Sequence, residues 1–281
     1  MIHPQMPKGR RILVKFGGNA LSGEGDLDRF GQDIASLVKA GYDPVLVHGG
    51  GPEISAEMEK RGLKVKKVAG LRVTDDASLL IAEEVLRRIN KQVVDALVGA
   101  GVKAKGMAGA DHGVAVAEKK PPFKARDESG NEIVADLGNV GEVSRVDAKK
   151  LEAAMFGGAV PVIYPICADA SGRKLNVNAD TVAAHVARAA GAEEMVLVTD
   201  VPGILRGGEG TMEVIRSATL NEIDGLIAAG VITGGMVPKL EAARVALQSG
   251  VRTVYMLNGK EPHSIVRKLI DGEACGTRIT V

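Results

Sequence analysis

The chain has 281 residues, with 36 Lys and Arg against 35 Asp and Glu, so its formal net charge of +1 offers no field to attract nucleic acid or an anionic membrane. Aromatic residues make up only 2% and Trp is absent, which removes the usual platforms for base stacking. Cys167 and Cys275 lie far apart without metal-ligand spacing, so both read as packing residues in a reducing compartment. Met1 to Arg11 has no apolar signal-peptide core, and the longest uncharged segment, 153–168, holds Pro161 and Pro165 and falls short of a membrane span. The composition predicts a soluble cytoplasmic protein, one large domain or two lobes, without nucleic-acid or membrane partners.

A short apolar strand over Arg11 to Phe16 runs into Lys15-Phe16-Gly17-Gly18. Glycines let backbone N–H groups approach an anion, and the lysine adds a point charge. Alone, such a turn is only a tight turn. Residues 26–40 show helical spacing through Leu27, Phe30, Ile34, Leu37 and Val38. Pro44 to Val47 is a second buried strand, followed by His48-Gly49-Gly50-Gly51-Pro52 and a helix to Arg61. This is βαβ logic, with two glycine turns at one edge of a parallel sheet.

Gly70-Leu71-Arg72-Val73-Thr74 precedes a helix over Ala77 to Val98, and Arg72 reads as either a solvated residue or a bidentate carboxylate clamp. That helix carries more apolar side chains than one narrow stripe needs, which suits a partner helix or burial within the chain. Val114 to Ala117 and Glu132 to Val134 read as hairpin strands around a polar tip, Lys119 to Asn131. A helix over Lys149 to Phe156 and a strand over Ala159 to Ile163 follow.

Leu175 to Thr181 reads as a strand end meeting a helix start, with Asn176, Asn178 and Asp180 aimed at one crevice. Strands at Met195–Val198 and Thr253–Leu257 alternate with helices over 220–229, through Leu247, and over 265–270. Thr199-Asp200-Val201-Pro202-Gly203 forms a further turn at a strand's carboxyl end.

Three rival readings of the glycine turns fail. Gly259-Lys260 precedes Glu261, so there is no P-loop; the first turn lacks dinucleotide-fold spacing; and no G-x-S-x-G elbow accompanies the H-G-G-G run. Taken in order, the Lys-x-Gly-Gly, His-Gly-Gly-Gly-Pro, Gly-Leu-Arg-Val-Thr, Asn-Val-Asn-Ala-Asp and Thr-Asp-Val-Pro-Gly motifs, with Thr233-Gly234-Gly235-Met236 and Lys239 behind them, closely resemble the N-acetylglutamate kinases of the amino acid kinase family. The likeness runs from about Ile12 to Gly276-Thr277-Arg278-Ile279.

The resemblance implies a three-layer αβα sandwich on a mainly parallel sheet. Residues 1–173 would form a lobe for the amino-acid substrate and dimerisation, and residues 174–281 a nucleotide lobe. It implies transfer of the ATP γ-phosphoryl group, with Mg²⁺, to the γ-carboxylate of N-acetyl-L-glutamate in arginine synthesis. A relative acting on another amino acid or on carrier-linked aminoadipate is the nearest alternative, and a non-catalytic sensor is one of another class. By resemblance, Lys15 and Lys239 stabilise the transferring group, Asp180 orients both, and N–H groups of Gly18 and Gly50 complete the cage. Gly50, Gly51, Arg72 and Asn176 would hold the amino-acid substrate, with Asn178 a helix cap or a support. Thr199, Asp200, Val201, Pro202, Gly203, Ile204 and Leu205, with Val231, Ile232, Thr233 and Met236, would line the nucleotide site, mainly through backbone. A protein-held metal site is not expected. A homodimer is, insensitive to arginine because Pro4 and Pro7 disfavour the N-terminal helix of sensitive members, although Glu261-Pro262-His263-Ser264 resembles theirs. The sequence names no nitrogen-signalling partner.

Overall fold

The computed structural model describes residues 9–21, 23–68, 70–126, 131–206 and 212–281; Pro4, Pro7 and residues 127–130 of the expected tip lie outside them. Ile12 to Phe16 are buried on both faces of their strand, which suits only the middle of a covered sheet. That strand, β1 (Arg10–Phe16), lies there. α1 (Asp26–Lys39) buries Phe30, Ile34 and Leu37, as its spacing predicts. β2 (Tyr42–His48) runs parallel to β1, and α2 (Gly51–Lys60) follows with Pro52 in its first turn. A short hairpin, β3 (Lys67–Val68) and β4 (Leu71–Arg72), leads to α3 (Asp76–Gly99), which Asp75 caps by accepting from Ser78 N at 2.8 Å. α3 buries Val85, Leu86, Val93 and Leu97 within the chain, while Leu80 and Val98 stay exposed.

Beyond β5 (Ala104–Ala108) the strand pairing departs from the sequence reading. The strands there are β6 (Ala115–Lys119), β7 (Phe123–Arg126), β8 (Glu132–Ala135) and β9 (Val140–Val146). β6 pairs with β9, and β7 with β8, so Glu132 to Val134 pairs with a strand inside the expected tip instead of with Val114 to Ala117. Burial separates the two pairs: Ala115 and Ala117 are fully buried, whereas Val134 on β8 is 73% exposed. Alternation alone looks the same in both.

α4 (Ala148–Ala154), β10 (Val160–Tyr164), β11 (Ile166–Ala168) and β12 (Lys174–Val177) lead to α5 (Ala179–Ala190). The remainder is β13 (Glu194–Thr199), the hairpin β14 (Leu205–Arg206) and β15 (Glu213–Val214), β16 (Ser217–Thr219), α6 (Leu220–Ala228), α7 (Met236–Gln248), β17 (Thr253–Asn258), α8 (Ser264–Leu269) and β18 (Thr277–Thr280). Eight strands form one sheet in the order β16-β18-β17-β13-β1-β2-β10-β5, parallel except where β17 meets β18.

α1, α3 and α8 cover one face, packing Phe30, Ile34, Leu97 and Ile265 on Ile12, Val14 and Val162. α5 and α7 cover the other, packing Val182, Val186 and Leu240 on Leu13, Val45 and Met195. This is the expected αβα sandwich. On α5 the buried residues include Ala183, Ala184, Ala187 and Ala190, so no long side chain holds the helix away from the sheet. Lys15 shares the α5-facing side of β1 with Leu13, because side chains two apart point the same way. Separately, β11, β12, β9 and β6 close into a four-stranded ring, which carries Asn176 on β12. Among the described residues no helix is long and apolar enough to cross a membrane.

Candidate functional site

The two glycine turns meet at the carboxyl ends of β1 and β2. Gly49 N donates to Phe16 O at 3.0 Å, and a Cβ at Gly17 would lie 3.1 Å from Gly49 N. Two backbones this close leave little room for a side chain at Gly17. Gly18 opens a short 3₁₀ turn, Gly18–Leu21. A Cβ at Gly50 would lie 2.7 Å from Ile89 Cδ1, whereas one at Gly51 would meet no protein atom within 4 Å. At Gly50 the contacts are the movable ends of Ile89 and Leu86, and at Gly51 the protein leaves open space.

Asp180, in the first turn of α5, lies beside both lysines of the motif set. Lys15 Nζ is 2.7 Å from its Oδ1 and Lys239 Nζ, from α7, is 3.6 Å from its Oδ2. Asp180 and Lys15 are buried, at 7% and 5% exposure. Burial pushes the Asp180 pKa up, but the charges of Lys15 and Lys239 outweigh it and hold the carboxyl below its ordinary value. Burial lowers the Lys15 ammonium below its ordinary value, Asp180 opposing the fall and Lys239 adding to it. One carboxylate thus shares two cations, leaving a net positive charge beside the glycine N–H groups.

Lys15 and Asp180 border a cleft of about 250 Å³, which Gly49, Gly50, Arg72 and Asn176 also help to line. Arg72 comes from β4 and is half-buried, and burial lowers its pKa. Its guanidinium donates to Gly51 O at 2.9 Å and Ser55 Oγ at 2.7 Å, and contacts Met58 Sδ at 3.2 Å. These partners are all neutral, so its charge is left for a ligand. Asn176 reaches the same cleft from β12, donating through Nδ2 to Thr74 Oγ1 at 3.2 Å. Asn178 is the N-cap of α5, accepting from Asp180 N at 2.8 Å and Thr181 N at 3.2 Å. Its bonds fix the helix turn that carries Asp180, which favours capping of the two open readings.

His48 had no role in the sequence reading. It is fully buried, its Nδ1 is 2.8 Å from Gly49 O, and its Nε2 is 3.1 Å from Asn90 Nδ2. A carbonyl accepts only and an amide nitrogen donates only, so the ring is neutral with its proton on Nδ1. Burial pushes its pKa down to about 4. His48 is thereby an anchor for the glycine turn, with Asn90 also donating to Val162 O at 2.9 Å. Ser55, Pro165 and Lys67 were likewise missed, although Ser55 sits one helical turn beyond Gly51 and could have been suspected from that spacing.

The residues expected at the nucleotide form a second group, on the β13 and α7 side. Thr199 is buried, and its Oγ1 donates to Val201 O at 2.9 Å within the turn. Ile204 is also buried, and its N donates to Thr277 Oγ1 at 2.9 Å. Gly203 has φ +143°, and a Cβ there would lie 2.6 Å from Thr277 Oγ1. Asp200 and Thr233 are exposed, Val231 is 45% exposed, Val201, Pro202, Leu205 and Met236 are intermediate, and Ile232 is buried. Thr199, Ile204 and Ile232 are thus turned inward, while Asp200, Val231 and Thr233 face outward.

A family model described as the amino acid kinase family matches residues 10–258. The acetylglutamate kinase of Methanocaldococcus jannaschii is 42% identical over 273 residues, covering 97% of this chain and 91% of its own. That of Azorhizobium caulinodans is 41% identical over 279 residues, covering 99% and 92%. Among solved structures, smu.665 from Streptococcus mutans superposes with a TM-score of 0.76 at 29% identity, over 96% of this chain and 98% of that one. The chain belongs to the amino acid kinase family, and within it to the acetylglutamate kinases.

Proposed function

We infer that this chain transfers the γ-phosphoryl group of ATP to the γ-carboxylate of N-acetyl-L-glutamate, the second step of arginine biosynthesis. A carboxylate oxygen forms the new bond to phosphorus, the bond from phosphorus to the ADP oxygen breaks, and ADP keeps that electron pair. The product is the acyl phosphate N-acetyl-L-glutamyl 5-phosphate. The observation that carries this reading is the Lys15–Asp180–Lys239 row beside a cleft whose other wall presents the unmatched Arg72 charge.

The acceptor carboxylate is already ionised at neutral pH, so no general base is needed. The neutral, buried His48 could not reach a substrate proton in any case. The work left is alignment of two anions and stabilisation of spreading charge. Lys15 and Lys239 supply that charge from opposite sides, Asp180 fixes their ammonium groups, and N–H groups of Gly18 and Gly50 add donors. Arg72 pairs with the α-carboxylate, and Asn176, with Gly50 and Gly51, borders the same ligand. The turns 199–205 and 231–236 hold the nucleotide. Asp180 is committed to two lysines, and among the described residues no cluster of His, Cys, Asp or Glu suits a metal ion. We propose that Mg²⁺ accompanies ATP, carried on its phosphates. We further read residues 1–173 and 174–281 as acceptor and nucleotide lobes, and the cytoplasm as the enzyme's compartment. A homodimer fits the exposed Leu80 and Val98 on α3; light scattering should then give twice the 29.2 kDa chain mass.

The test is to incubate enzyme, ATP and each candidate acceptor with hydroxylamine. N-acetyl-L-glutamate should give a hydroxamate with matching ADP release. Glutamate, aspartate, carbamate, UMP and a carrier-linked aminoadipate should release far less ADP. ADP release without hydroxamate would mean another kind of acceptor.

A further inference from the structure

Thr74 is fully buried, yet its hydroxyl is bonded on both sides. Oγ1 lies 3.0 Å from Arg72 O and 3.2 Å from Asn176 Nδ2, joining residues 102 positions apart. The Arg72 carbonyl can only accept, so the single hydroxyl proton points there. The lone pairs of Oγ1 then face Asn176, which must present its NH₂ end. One hydroxyl therefore decides which way round the Asn176 amide sits, leaving Oδ1 and one N–H for the cleft.

Thr74 is itself held in place. Its N donates to Leu137 O at 2.8 Å, and its O accepts from Asn139 N at 2.7 Å. Asn139 O in turn accepts from Asn176 N at 2.9 Å, so both residues hang from one turn. Gly138 in that turn has φ +73°, and a Cβ there would lie 2.5 Å from Thr74 O. The close approach and the positive φ both demand glycine. β4, which carries Arg72, is otherwise a two-residue strand paired only with β3. Without this link the hairpin and the four-stranded ring would place their polar groups independently.

We propose that Thr74 is a positioning residue which sets Arg72 and Asn176 in register for the acceptor and fixes the orientation of the Asn176 amide. This rests on the reading that those two residues bind the acceptor. The experiment is steady-state kinetics on Thr74→Ser, Thr74→Cys and Thr74→Val, with Asn176→Ala, Arg72→Ala and the Thr74→Val/Asn176→Ala double variant. Thr74→Ser keeps the hydroxyl and should hold the KM for N-acetyl-L-glutamate within about threefold of wild type. Thr74→Val should raise it about tenfold while leaving the ATP KM alone. In the Asn176→Ala background Thr74→Val should add less, because one of its two bonding partners is already gone and only the bond to Arg72 O remains to be lost.

Full additivity of the two changes would overturn the proposal. So would an unaltered acceptor KM in Thr74→Val, when Arg72→Ala and Asn176→Ala both raise it. If neither Arg72→Ala nor Asn176→Ala moves the acceptor KM, the reading of the site itself fails, which is a separate result. Should Thr74→Val not fold, Ser against Cys decides: a higher acceptor KM for the weakly bonding thiol supports the proposal, and equal values overturn it.

Discussion

The two sides of Asp180 are built differently. Lys15 stands on the central strand at 2.7 Å and is 5% exposed, whereas Lys239 on α7 is 3.6 Å away with a side chain 27% exposed. Behind Lys15 lie side-chain bonds between distant parts of the chain: His48 with Asn90, Thr74 with Asn176, Arg72 with Ser55. Behind Lys239 lie exposed turns, and the N-cap of α7, Gly235, makes no side-chain cap bond. The difference teaches where discrimination can reside. A small acceptor must be told from close analogues by placed side chains, whose bonds a wrong ligand leaves unmade. A nucleotide phosphate can be held by backbone N–H groups and point charges, which require shape more than residue identity.

The largest effects should separate the two lysines. Lys15→Ala should lower kcat by about 10³ and also destabilise the fold by about 3 kcal/mol, since it leaves Asp180 buried beside one distant cation. Lys239→Ala should lower kcat by about 10²–10³ with an unchanged melting temperature, because its side chain is partly solvated. Equal melting losses for the two variants would erase the asymmetry. Next in size, Arg72→Ala should raise the acceptor KM by about 10–100-fold and leave the ATP KM alone. A selective rise in the ATP value would move Arg72 to the other side of the comparison.

The buried polar groups on the Lys15 side also predict a pH dependence. In the unfolded chain a histidine takes up a proton near pH 6.5, but burial holds His48 neutral down to about 4. Between those values the unfolded state binds the extra proton, so stability falls as pH falls. Going from pH 7 to pH 5 should cost about 2 kcal/mol in urea unfolding through this one residue. His48→Gln should flatten that slope. An equal slope in the variant would mean that His48 takes up its proton at the same pH in the fold as in the unfolded chain.

The same contrast explains what the sequence made legible. Lys15 and Asp180 were noticed at a strand end and a helix start, which are local placements, and the ordered motif set of the family resemblance joined them with Lys239. The βαβ order was legible from local apolar runs and glycine turns, whereas the αβα layering came from the family resemblance and agrees with the eight-stranded sheet. Asn178 was ambiguous until its bonds to Asp180 N and Thr181 N were seen. The pairing of β6 with β9 was not legible, because alternation carries no address for the partner strand. Nor were His48 with Asn90 or Thr74 with Asn176, separated by 42 and 102 residues. A hydrogen bond across that distance is a product of the completed fold, and a motif can mark its ends without saying that they meet.

The smallest expected effect bears most directly on the proposal that the 199–205 and 231–236 turns hold the nucleotide through their backbone. Thr233 is exposed and Val231 is 45% exposed, and neither side chain is held by the core. If those turns act through their main chain, Val231→Ala and Thr233→Ala should each change the ATP KM by less than about threefold. Gly203→Ala should do more despite adding only a methyl group. Its φ of +143° disfavours any L side chain, and the new Cβ would press Thr277 Oγ1 at 2.6 Å, the same atom that accepts from Ile204 N. The ATP KM should therefore follow turn shape rather than side-chain chemistry. A tenfold rise in Thr233→Ala beside an unaffected Gly203→Ala would place the specificity of the nucleotide side in side chains, and the contrast across Asp180 would not stand.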